Sequence, residues 1–401
     1  MNLPKVDLDP LRRRALVNGA IASVVTLILG LTLQALFGGD GDGVGTDGRA
    51  TTSSSPTPTT PTCVPTWEVV QSADPDEIPH TLTGVTALSA AEAWAVGSSG
   101  DALSPDAVLL ERWDGNAWTA EQGPSPGSET NGLSSVDASE PNDVWAVGTT
   151  SDGFGDRPLV LHYDGTTWLE VPPPPDVTGV LSGVEAIAPN DVWVVGTTGD
   201  VATAQNRALV LHWDGELWAN VDLGRAAGTG ASLLNDVAAV DRDEIWAVGE
   251  LRGRPLIIRS DGRRWERLET EVRGVTNAVE PVARDAVWAV GVPIHRYDGE
   301  AWDLSANVRR DGLLFGVAAV SPTDVWAVGM RPGRGTITRA LVLRYDGERW
   351  EPVSGSTIPG SEALLGIDAL PDGTVLAVGY RDVRETRRTL AIRGDTCVSD
   401  G

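Results

Sequence analysis

The sequence is poor in the residues that most often carry chemistry or cross-links. Its 401 residues include only 2 cysteines, 4 histidines, 4 tyrosines and 3 phenylalanines. Two cysteines exclude a disulfide-dense scaffold and a cysteine-rich metal cluster. The sequence contains neither an HExxH motif nor Cys/His ligand spacing. We therefore expect no metal site, no cofactor and no catalytic set.

Basic residues are scarce relative to acidic ones. The chain has 31 Lys and Arg against 56 Asp and Glu, which gives a formal net charge of −25. Proteins that bind nucleic acid present a basic surface to the phosphate backbone. The charge balance therefore excludes nucleic acid as a partner.

One long hydrophobic run lies near the N-terminus. Residues 15–37 carry no charge and are mostly Ala, Val, Leu and Ile. As a helix, a run of this length extends about 34 Å, which is enough to cross a bilayer core of about 30 Å. The run is longer than the apolar region of a signal peptide and is not followed by a convincing cleavage site. We therefore predict one uncleaved transmembrane helix in contact with the lipid bilayer.

Charges on the two sides of the run predict its orientation. Arg12, Arg13 and Arg14 precede it, whereas Asp40 and Asp42 follow it. The positive-inside rule then places residues 1–14 in the cytoplasm as a short stub and the rest of the chain outside the cell. The predicted location is the cell membrane, with a single pass and an extracellular C-terminal domain.

Residues 38–62 predict a disordered linker. They are first rich in Gly and Asp and then form the Ser/Thr/Pro-rich run TTSSSPTPTTPT. Such a composition buries too little apolar surface to fold. Its root-mean-square reach is about 25–30 Å, so we expect it to act as a tether for residues 63–401.

Internal repetition is the strongest signal in the chain. The string WAVG, or a near copy, begins at seven places: Trp94, Trp145, Trp193, Trp246, Trp288, Trp326 and Leu376. A second string follows the first six copies, namely WDGNAW, YDGTTW, WDGELW, SDGRRW, YDGEAW and YDGERW. Self-similarity at a period of roughly 40–50 residues is typical of repeat architectures.

Each repeat is interpreted as four β-strands. In the second repeat these are LSSVDA, then DVWAVG, then LVLHYDG, and finally TTWLEV after a tight Asp-Gly turn. A sheet of this size cannot bury both of its faces alone, but sheets stacked radially cover one another. The sequence therefore predicts an all-β fold, a seven-bladed β-propeller, in which the repeated Trp and Tyr pack between blades.

The seventh repeat lacks its fourth strand, and the other end of the propeller region supplies a candidate. The segment around Trp67 matches the closing-Trp strand, so we predict that the ring closes by pairing the two ends. This closure brings Cys63 beside Cys397, and an oxidising exterior favours a disulfide between them.

The repeat resembles that of Kelch-type propellers across residues 63–401. The resemblance rests on a Gly-terminated strand, then an apolar strand ending in Tyr-Asp, then a closing Trp; it implies a binding scaffold more often than an enzyme. This chain has a single Gly where Kelch repeats usually have two. The DG..W string is also similar to the Asp-box of sialidase-like propellers, although it is one residue shorter. The propeller superfamily therefore stays open.

The polar residues of the repeat predict structural roles. His162 and His212 share one repeat position, where other repeats have Arg112, Arg296 or Arg344. The Asp residues of the DG turns are favoured as turn formers. Neither set suggests a catalytic constellation.

Length variation and charge both point to one rim of the ring. Connections between second and third strands vary from almost nothing after Gly291 to about ten residues after Gly148, Gly196, Gly329 and Gly379. Acidic loops lie in the first three repeats, at Asp101, Asp106, Asp152 and Asp200. Arginines cluster in and before the last two repeats, at Arg309, Arg310, Arg331, Arg334, Arg339, Arg381, Arg384, Arg387 and Arg388. Because guanidinium groups suit carboxylates and phosphates, we hypothesise an anion-binding patch there.

The sequence favours a membrane-anchored extracellular propeller that acts as a non-catalytic binding or adhesion scaffold. Its expected partner is an envelope polymer or an extracellular protein that carries negative charge. The alternative is an anchored glycan-acting enzyme with its site at the mouth of the central channel. A carboxylate pair beside a substrate-sized pocket there would favour the enzyme.

Overall fold

Seven four-stranded antiparallel sheets follow one another along the chain, one for each sequence repeat. The computed structural model describes residues 66–74, 78–101, 104–199, 205–268, 274–308, 312–333, 337–353, 360–384 and 386–395. The first strand of each sheet contacts the first strand of the next, and the seventh sheet contacts the first. The sheets are thus blades of a closed ring, and the predicted seven-bladed β-propeller is confirmed.

The first four blades take their strands in chain order. Blade 1 contains β2 (His80–Ser89), β3 (Glu92–Asp101), β4 (Ser104–Trp113) and β5 (Trp118–Glu121). Blade 2 contains β6 (Thr130–Glu140), β7 (Asp143–Ser151), β8 (Asp156–Tyr163) and β9 (Trp168–Glu170). Blade 3 contains β10 (Val180–Ala188), β11 (Asp191–Thr198), β12 (Arg207–Trp213) and β13 (Trp218–Asn220). Blade 4 contains β14 (Ser232–Asp241), β15 (Glu244–Leu251), β16 (Arg254–Ser260) and β17 (Trp265–Arg267).

The last three blades include the closure of the ring. Blade 5 contains β18 (Val275–Ala283), β19 (Ala286–Val292), β20 (Ile294–Tyr297) and β21 (Trp302–Ala306). Blade 6 contains β22 (Leu313–Ser321), β23 (Asp324–Pro332), β24 (Thr338–Tyr345) and β25 (Trp350–Pro352). Blade 7 contains β26 (Glu362–Ala369), β27 (Thr374–Val383), β28 (Thr386–Asp395) and, from the other end of the chain, β1 (Thr66–Val70).

The terminal strand closure is confirmed. Strand β1 pairs antiparallel with β28, from Thr66 opposite Asp395 to Val70 opposite Ala391. Cys63 and Cys397 lie outside the described residues, a few positions beyond the outermost pair of this ladder. Their disulfide therefore stays a prediction.

The Asp-Gly pairs form the predicted tight turns between third and fourth strands. In blade 1 the Asp114 carboxylate accepts the backbone amides of Asn116 and Ala117 at 2.8 and 2.9 Å. Gly115 takes φ +95, a conformation that disfavours residues with a Cβ. The amides hold the pKa of Asp114 below its ordinary value. The same two hydrogen bonds recur at Asp164, Asp214, Asp261, Asp298 and Asp346.

The repeated aromatic residues pack between blades, as predicted. Trp94 of blade 1 is fully buried and lies 4.7 Å from Tyr163 and 5.2 Å from Trp168 of blade 2, measured between ring centroids. Trp246 and Trp288 make the equivalent pairs with the Tyr and closing Trp of the following blade. Each blade therefore covers the face that its neighbour cannot bury.

Trp67 takes the closing position in blade 7. Its ring meets Trp326 of blade 6 edge-on, with centroids 5.1 Å apart. Gly394 lies where five other blades have Tyr or Trp on the third strand and blade 4 has Ser260. A Cβ at Gly394 would lie 2.8 Å from the Trp67 ring. The glycine thus makes room for the closing tryptophan.

The ring has two rims. We call the side with the 3→4 turns, such as residues 114–117 and 164–167, the turn rim. The opposite side, with the 2→3 hairpins and the connections between blades, is the hairpin rim. Its hairpins are shorter than the sequence analysis predicts, because paired strands continue past the glycine. In blade 7, β27 and β28 stay paired until Val383 lies opposite Thr386. The prediction of a ten-residue loop was wrong there: Arg381, Arg387 and Arg388 lie on paired strands, and Arg384 lies between the strands.

The predicted transmembrane helix, residues 15–37, lies outside the described residues, as do the stub 1–14 and the linker 38–62. No helix within the described ranges has the length and apolarity needed to span a bilayer.

Candidate functional site

A cation, an acid and a tryptophan form a unit that recurs around the ring. In blade 2, Nε2 of His162 lies 2.7 Å from Oδ1 of Asp143 at the start of the second strand. The His162 ring stacks on Trp145 with centroids 4.2 Å apart. Equivalent acid–cation pairs join Glu92 to Arg112, Asp191 to His212, Glu244 to Arg259 and Asp324 to Arg344.

This unit is structural, as the repeat position of the histidines predicts. Burial of Asp143 favours its neutral form, but hydrogen bonds from His162, Ser139 and Trp145 outweigh burial and hold the pKa of Asp143 below its ordinary value. The carboxylate is thereby committed to binding its neighbours. Over the part of the chain that the structure describes, no group of three or more His, Cys, Asp or Glu side chains is arranged to hold a metal ion.

The hypothesised arginine patch is only partly described. Arg309, Arg310 and Arg334 lie outside the described residues. The other six lie on two neighbouring hairpins of the hairpin rim. Arg331 and Arg339 face each other across β23 and β24 of blade 6. Arg381, Arg384, Arg387 and Arg388 lie on or between β27 and β28 of blade 7, with Arg381 opposite Arg388.

The arginines of blade 7 differ in how they are bound. Nε of Arg387 lies 3.4 Å from the Asp382 carboxylate, and its guanidinium lies 3.7 Å from the centroid of the Tyr380 ring. Arg384 is exposed at the tip with φ 49. Arg381 is half-buried, and its Nε has no hydrogen-bond partner within the described part of the chain. Arg381 and Arg384 are therefore the charges of this hairpin that no described carboxylate neutralises.

One buried acid links the two hairpins. Glu362 begins β26 directly opposite Arg381, and only 6% of it is exposed. Burial raises the pKa of Glu362, whereas the amide of Ala340 and the charges of Arg339 and Arg331 lower it. The charges of Arg331 and Arg339 in blade 6 thus act on an acid that lies opposite Arg381 in blade 7.

The acidic side of the predicted charge contrast is weaker in the structure. Asp152 pairs with Arg157 of its own blade, so its charge is locally compensated. Asp106 is exposed. Asp200 lies outside the described residues, and so does the side chain of Asp101.

The structure also shows a feature that the sequence analysis missed, a ring of carboxylates around the central channel. We call it the acid ring; its members are Asp137, Glu185, Asp236, Glu280 and Asp368, which lie on the innermost strands of blades 2, 3, 4, 5 and 7. The channel is narrow enough for members on distant blades to interact. Asp137, for example, raises the pKa of Glu280 three blades away.

Each member of the acid ring hydrogen-bonds the innermost strand of the next blade. The amide of Ala186 donates to Asp137 at 2.7 Å, and the amide of Ala87 donates to Asp368 at 2.7 Å. Glu185 and Glu280 accept the amides of Ala239 and Ala319 in the same way. The ring therefore links neighbouring blades around the channel.

Proline explains the one irregular member. In blade 5 the residue equivalent to Ala186 is Pro281, which has no amide hydrogen to donate. Asp236 lies two residues earlier on its strand than the other acids and accepts the amide of Val279 at 2.9 Å. The acid of blade 4 thus accepts the amide two residues before Pro281, which points in the same direction along the strand edge.

Protonation of the acid ring is strongly perturbed. Burial, together with repulsion from other members, raises the pKa of Glu280 to about 8 and places that of Glu185 well above its ordinary value. Burial also raises the pKa of Asp236 and of Asp368 to about 7. Near neutral pH the ring therefore holds several protons.

The fold of this chain is similar to that of known protein structures. The structure of YCF48 bound to D1 peptide is 16% identical, covers 83% of this chain and 100% of that chain, and has a TM-score of 0.56. The structure of YCF48 from Cyanidioschyzon merolae is 16% identical, covers 82% of this chain and 98% of that chain, and has a TM-score of 0.53. At this identity the likeness shows the propeller fold alone. No family model and no curated protein matches the chain.

Proposed function

We propose that this protein is a non-catalytic binding scaffold whose hairpin rim receives an acidic segment of a partner protein. The observation that carries the proposal is the pair of adjoining hairpins in blades 6 and 7. They gather six described arginines, of which Arg381 and Arg384 have no described carboxylate partner, in a chain of net charge −25. Planar guanidinium groups bind carboxylates in a fixed geometry.

The propeller fold suits this role. It supplies a rigid ring on which loops and hairpins can present binding residues. YCF48, which shares the fold, has been solved bound to D1 peptide. Its resemblance supports the proposal that a propeller of this size receives a peptide, and it says nothing of the sequence that this chain would bind.

The proposal includes the membrane anchor and the extracellular location. Residues 15–37 would span the membrane, and residues 38–62 would tether the propeller outside the cell. Strand β1 enters the ring from the turn rim, since Thr66 pairs with Asp395 at the end of β28. The tether therefore leaves from the turn rim, which supports an arrangement with the hairpin rim turned away from the membrane. The Kelch-type resemblance and the Cys63–Cys397 disulfide belong to the same proposal.

A glycan-acting enzyme is the second candidate, and the acid ring is the observation that favours it. A general acid must hold a proton near neutral pH, and Glu280, with a pKa of about 8, does so. Against this role, Glu280 already accepts the amide of Ala319, so it holds two blades together. Shortening of an envelope glycan by the wild type, lost in Glu280→Gln, would establish the enzyme.

The proposed binding is tested with a labelled octaglutamate peptide. We expect the double variant Arg381→Glu/Arg384→Glu to weaken binding at least about tenfold, because two attractive charges become repulsive. Binding by the wild type should also weaken as salt rises from about 0.05 to 0.5 M, because salt screens exposed charges. Fluorescence anisotropy measures both effects.

Arg263 and Arg264 supply a matched control. Both are exposed and lie in the 3→4 turn of blade 4, on the turn rim. Arg263→Glu/Arg264→Glu makes the same change in net charge and should alter the Kd less than about twofold. Equal losses in the two double variants would show that total charge, and not the hairpin rim, governs binding.

A further inference from the structure

A cavity of about 730 Å³ lies where the ring closes, between blade 7 and blade 1. One wall is the end of β1 with the segment that follows it, including Val69 and Asp74. Another wall is the start of β5, including Trp118. Thr389, Ala391 and Arg381 of blade 7 complete the lining. Arg381 thus belongs both to the arginine hairpin and to this cavity.

At three other junctions of the ring, apolar residues fill the equivalent space. In the connection between blades 2 and 3, Val177 is buried against Val160 and Trp218. These two residues are the counterparts of Ala391 and Trp118. Leu223 and Val308 are buried in the same manner in the connections that enter blades 4 and 6.

The connection into blade 1 has no such filler among its described residues, 71–74 and 78–79. Ile78 is 41% exposed, and Gln71, Ser72 and Asp74 are polar. The residue of blade 7 at the position equivalent to Val160 is Ala391, and its smaller side chain enlarges the space further. The polar residues after β1 and the small residue at position 391 therefore leave this space open.

The acids at this junction are already bound. Oδ1 of Asp74 accepts the amide and the hydroxyl of Thr389 at 3.0 and 2.9 Å. Glu111, which is fully buried behind the lining, accepts the Ser72 hydroxyl at 2.8 Å and the Ala73 amide at 3.3 Å. Both carboxylates hold the segment after β1 in place. Arg381 is the lining residue whose charge no described group neutralises.

We propose that this cavity, which we call the seam pocket, receives an apolar side chain of the acidic segment that binds the hairpin rim. This inference rests on the proposed function and deepens it. Arg381 would pair with a carboxylate next to that side chain, while Val69, Ala73 and Ala120 of the lining contact the apolar group. The arginines then supply attraction to any acidic chain, and the seam pocket selects chains that carry an apolar residue at the right position.

Two labelled octapeptides test the proposal on the whole propeller with both termini present. One has seven glutamates around a central phenylalanine; the other has serine at that position. Burial of a phenylalanine side chain contributes about 1.5–3 kcal/mol, which corresponds to roughly 10–150-fold in affinity. We therefore expect the wild type to bind the phenylalanine peptide at least about tenfold more tightly than the serine peptide.

Filling the seam pocket should abolish this preference. Ala73→Leu supplies the missing apolar filler and keeps the amide that Glu111 accepts. Ala391→Val restores the residue of blade 2 and serves as a second variant if the first fails to fold. In both, the affinity ratio should fall towards one while the serine peptide binds as before. Ala219→Leu, on the exposed face of β13 in blade 3, is the matched control and should keep the wild-type ratio.

The outcomes separate the two proposals. The seam-pocket proposal is wrong if the wild type binds both peptides equally, or if filling the seam pocket leaves the affinity ratio of the two peptides unchanged. In either case the proposed binding of an acidic segment stands. If the wild type binds neither peptide, both proposals are wrong.

Discussion

Replacing Glu280 with glutamine is expected to raise the thermal midpoint of unfolding at pH 9 and to leave it nearly unchanged at pH 5. At pH 9 the wild-type carboxylate is ionised although it is buried, which is the larger cost, and it is also repelled by Asp368, Asp236 and Asp137. Glutamine removes that charge and still accepts the amide of Ala319. At pH 5 the wild-type residue is already protonated, so the substitution changes little.

The direction of the wild-type pH dependence follows from the same shift. The folded-state pKa of Glu280 is raised from 4.5 to about 8. A raised pKa means that the folded protein binds the proton more tightly than the unfolded chain does. The associated stability is complete below about pH 4.5 and is lost as the pH rises through about 8. The other members of the acid ring shift in the same direction, so wild-type stability should fall between pH 5 and pH 9.

The expected effect is large for one substitution. A shift of one pKa unit corresponds to about 1.4 kcal/mol. Since the ring members influence one another, we expect about 2–4 kcal/mol for Glu280→Gln at pH 9, or a rise of about 3–8 °C in the midpoint. Differential scanning calorimetry at the two pH values measures it. Glu170→Gln, exposed on β9, is the control and should shift neither midpoint. A lower midpoint for Glu280→Gln at pH 9 would contradict the account of the acid ring.

Removing Cys63 is the second substitution with a large expected effect. If Cys63 and Cys397 form the predicted disulfide, they close a loop that spans the whole propeller. The chain-entropy model gives about 5–6 kcal/mol for such a loop, and native disulfides commonly contribute about 2–5 kcal/mol. We expect Cys63→Ser to lower the free energy of unfolding by about 2–5 kcal/mol. Without the bond, β1 would be released from β28 more easily.

Two measurements check the disulfide. Chemical denaturation gives the free energy of unfolding, and thiol titration of the unfolded, unreduced protein should find no free cysteine. Cys397→Ser and the double variant should each match Cys63→Ser, since all three remove the same bond. Two free thiols per wild-type chain, or unequal effects of the two single variants, would show that the bond does not form.

The repeat made the architecture predictable from the sequence. Trp145 and its counterparts recur with enough regularity to give the number of blades and the place of each strand. Trp67, far from the other copies, shows how the ring closes, because blade 7 is the one that lacks a closing Trp. These inferences hold because each repeat packs against another copy of itself, so the local sequence pattern also predicts the packing between blades.

The acid ring could not be recognised in the same way. Asp137 and Glu185 look like ordinary polar positions on alternating strands, and only closure of the ring brings them together in one channel. A signal does exist, since an acid recurs near the end of the first strand in VDA, VEA, VEP and IDA. Asp236 obscures the pattern, because Pro281 in the next blade shifts it by two residues.

The candidate site was partly predictable. The sequence placed the arginines on one rim, but it interpreted their positions as loop ends. Pairing of β27 with β28 puts Arg381 opposite Arg388 and leaves Arg381 beside the seam pocket. Cross-strand register and the missing filler after β1 depend on the whole fold, so a single sequence does not reveal them.

Capture of partners from the organism's own envelope fraction tests the binding function most directly. The bait is residues 63–401, beside the variant Arg381→Glu/Arg384→Glu, which reverses the two charges of the blade 7 hairpin that no described carboxylate neutralises. The account predicts that the wild type retains a protein with an acidic segment, that the variant loses it, and that moderate salt elutes it. Retention of the same protein by both baits, or retention of polysaccharide alone, would contradict the account.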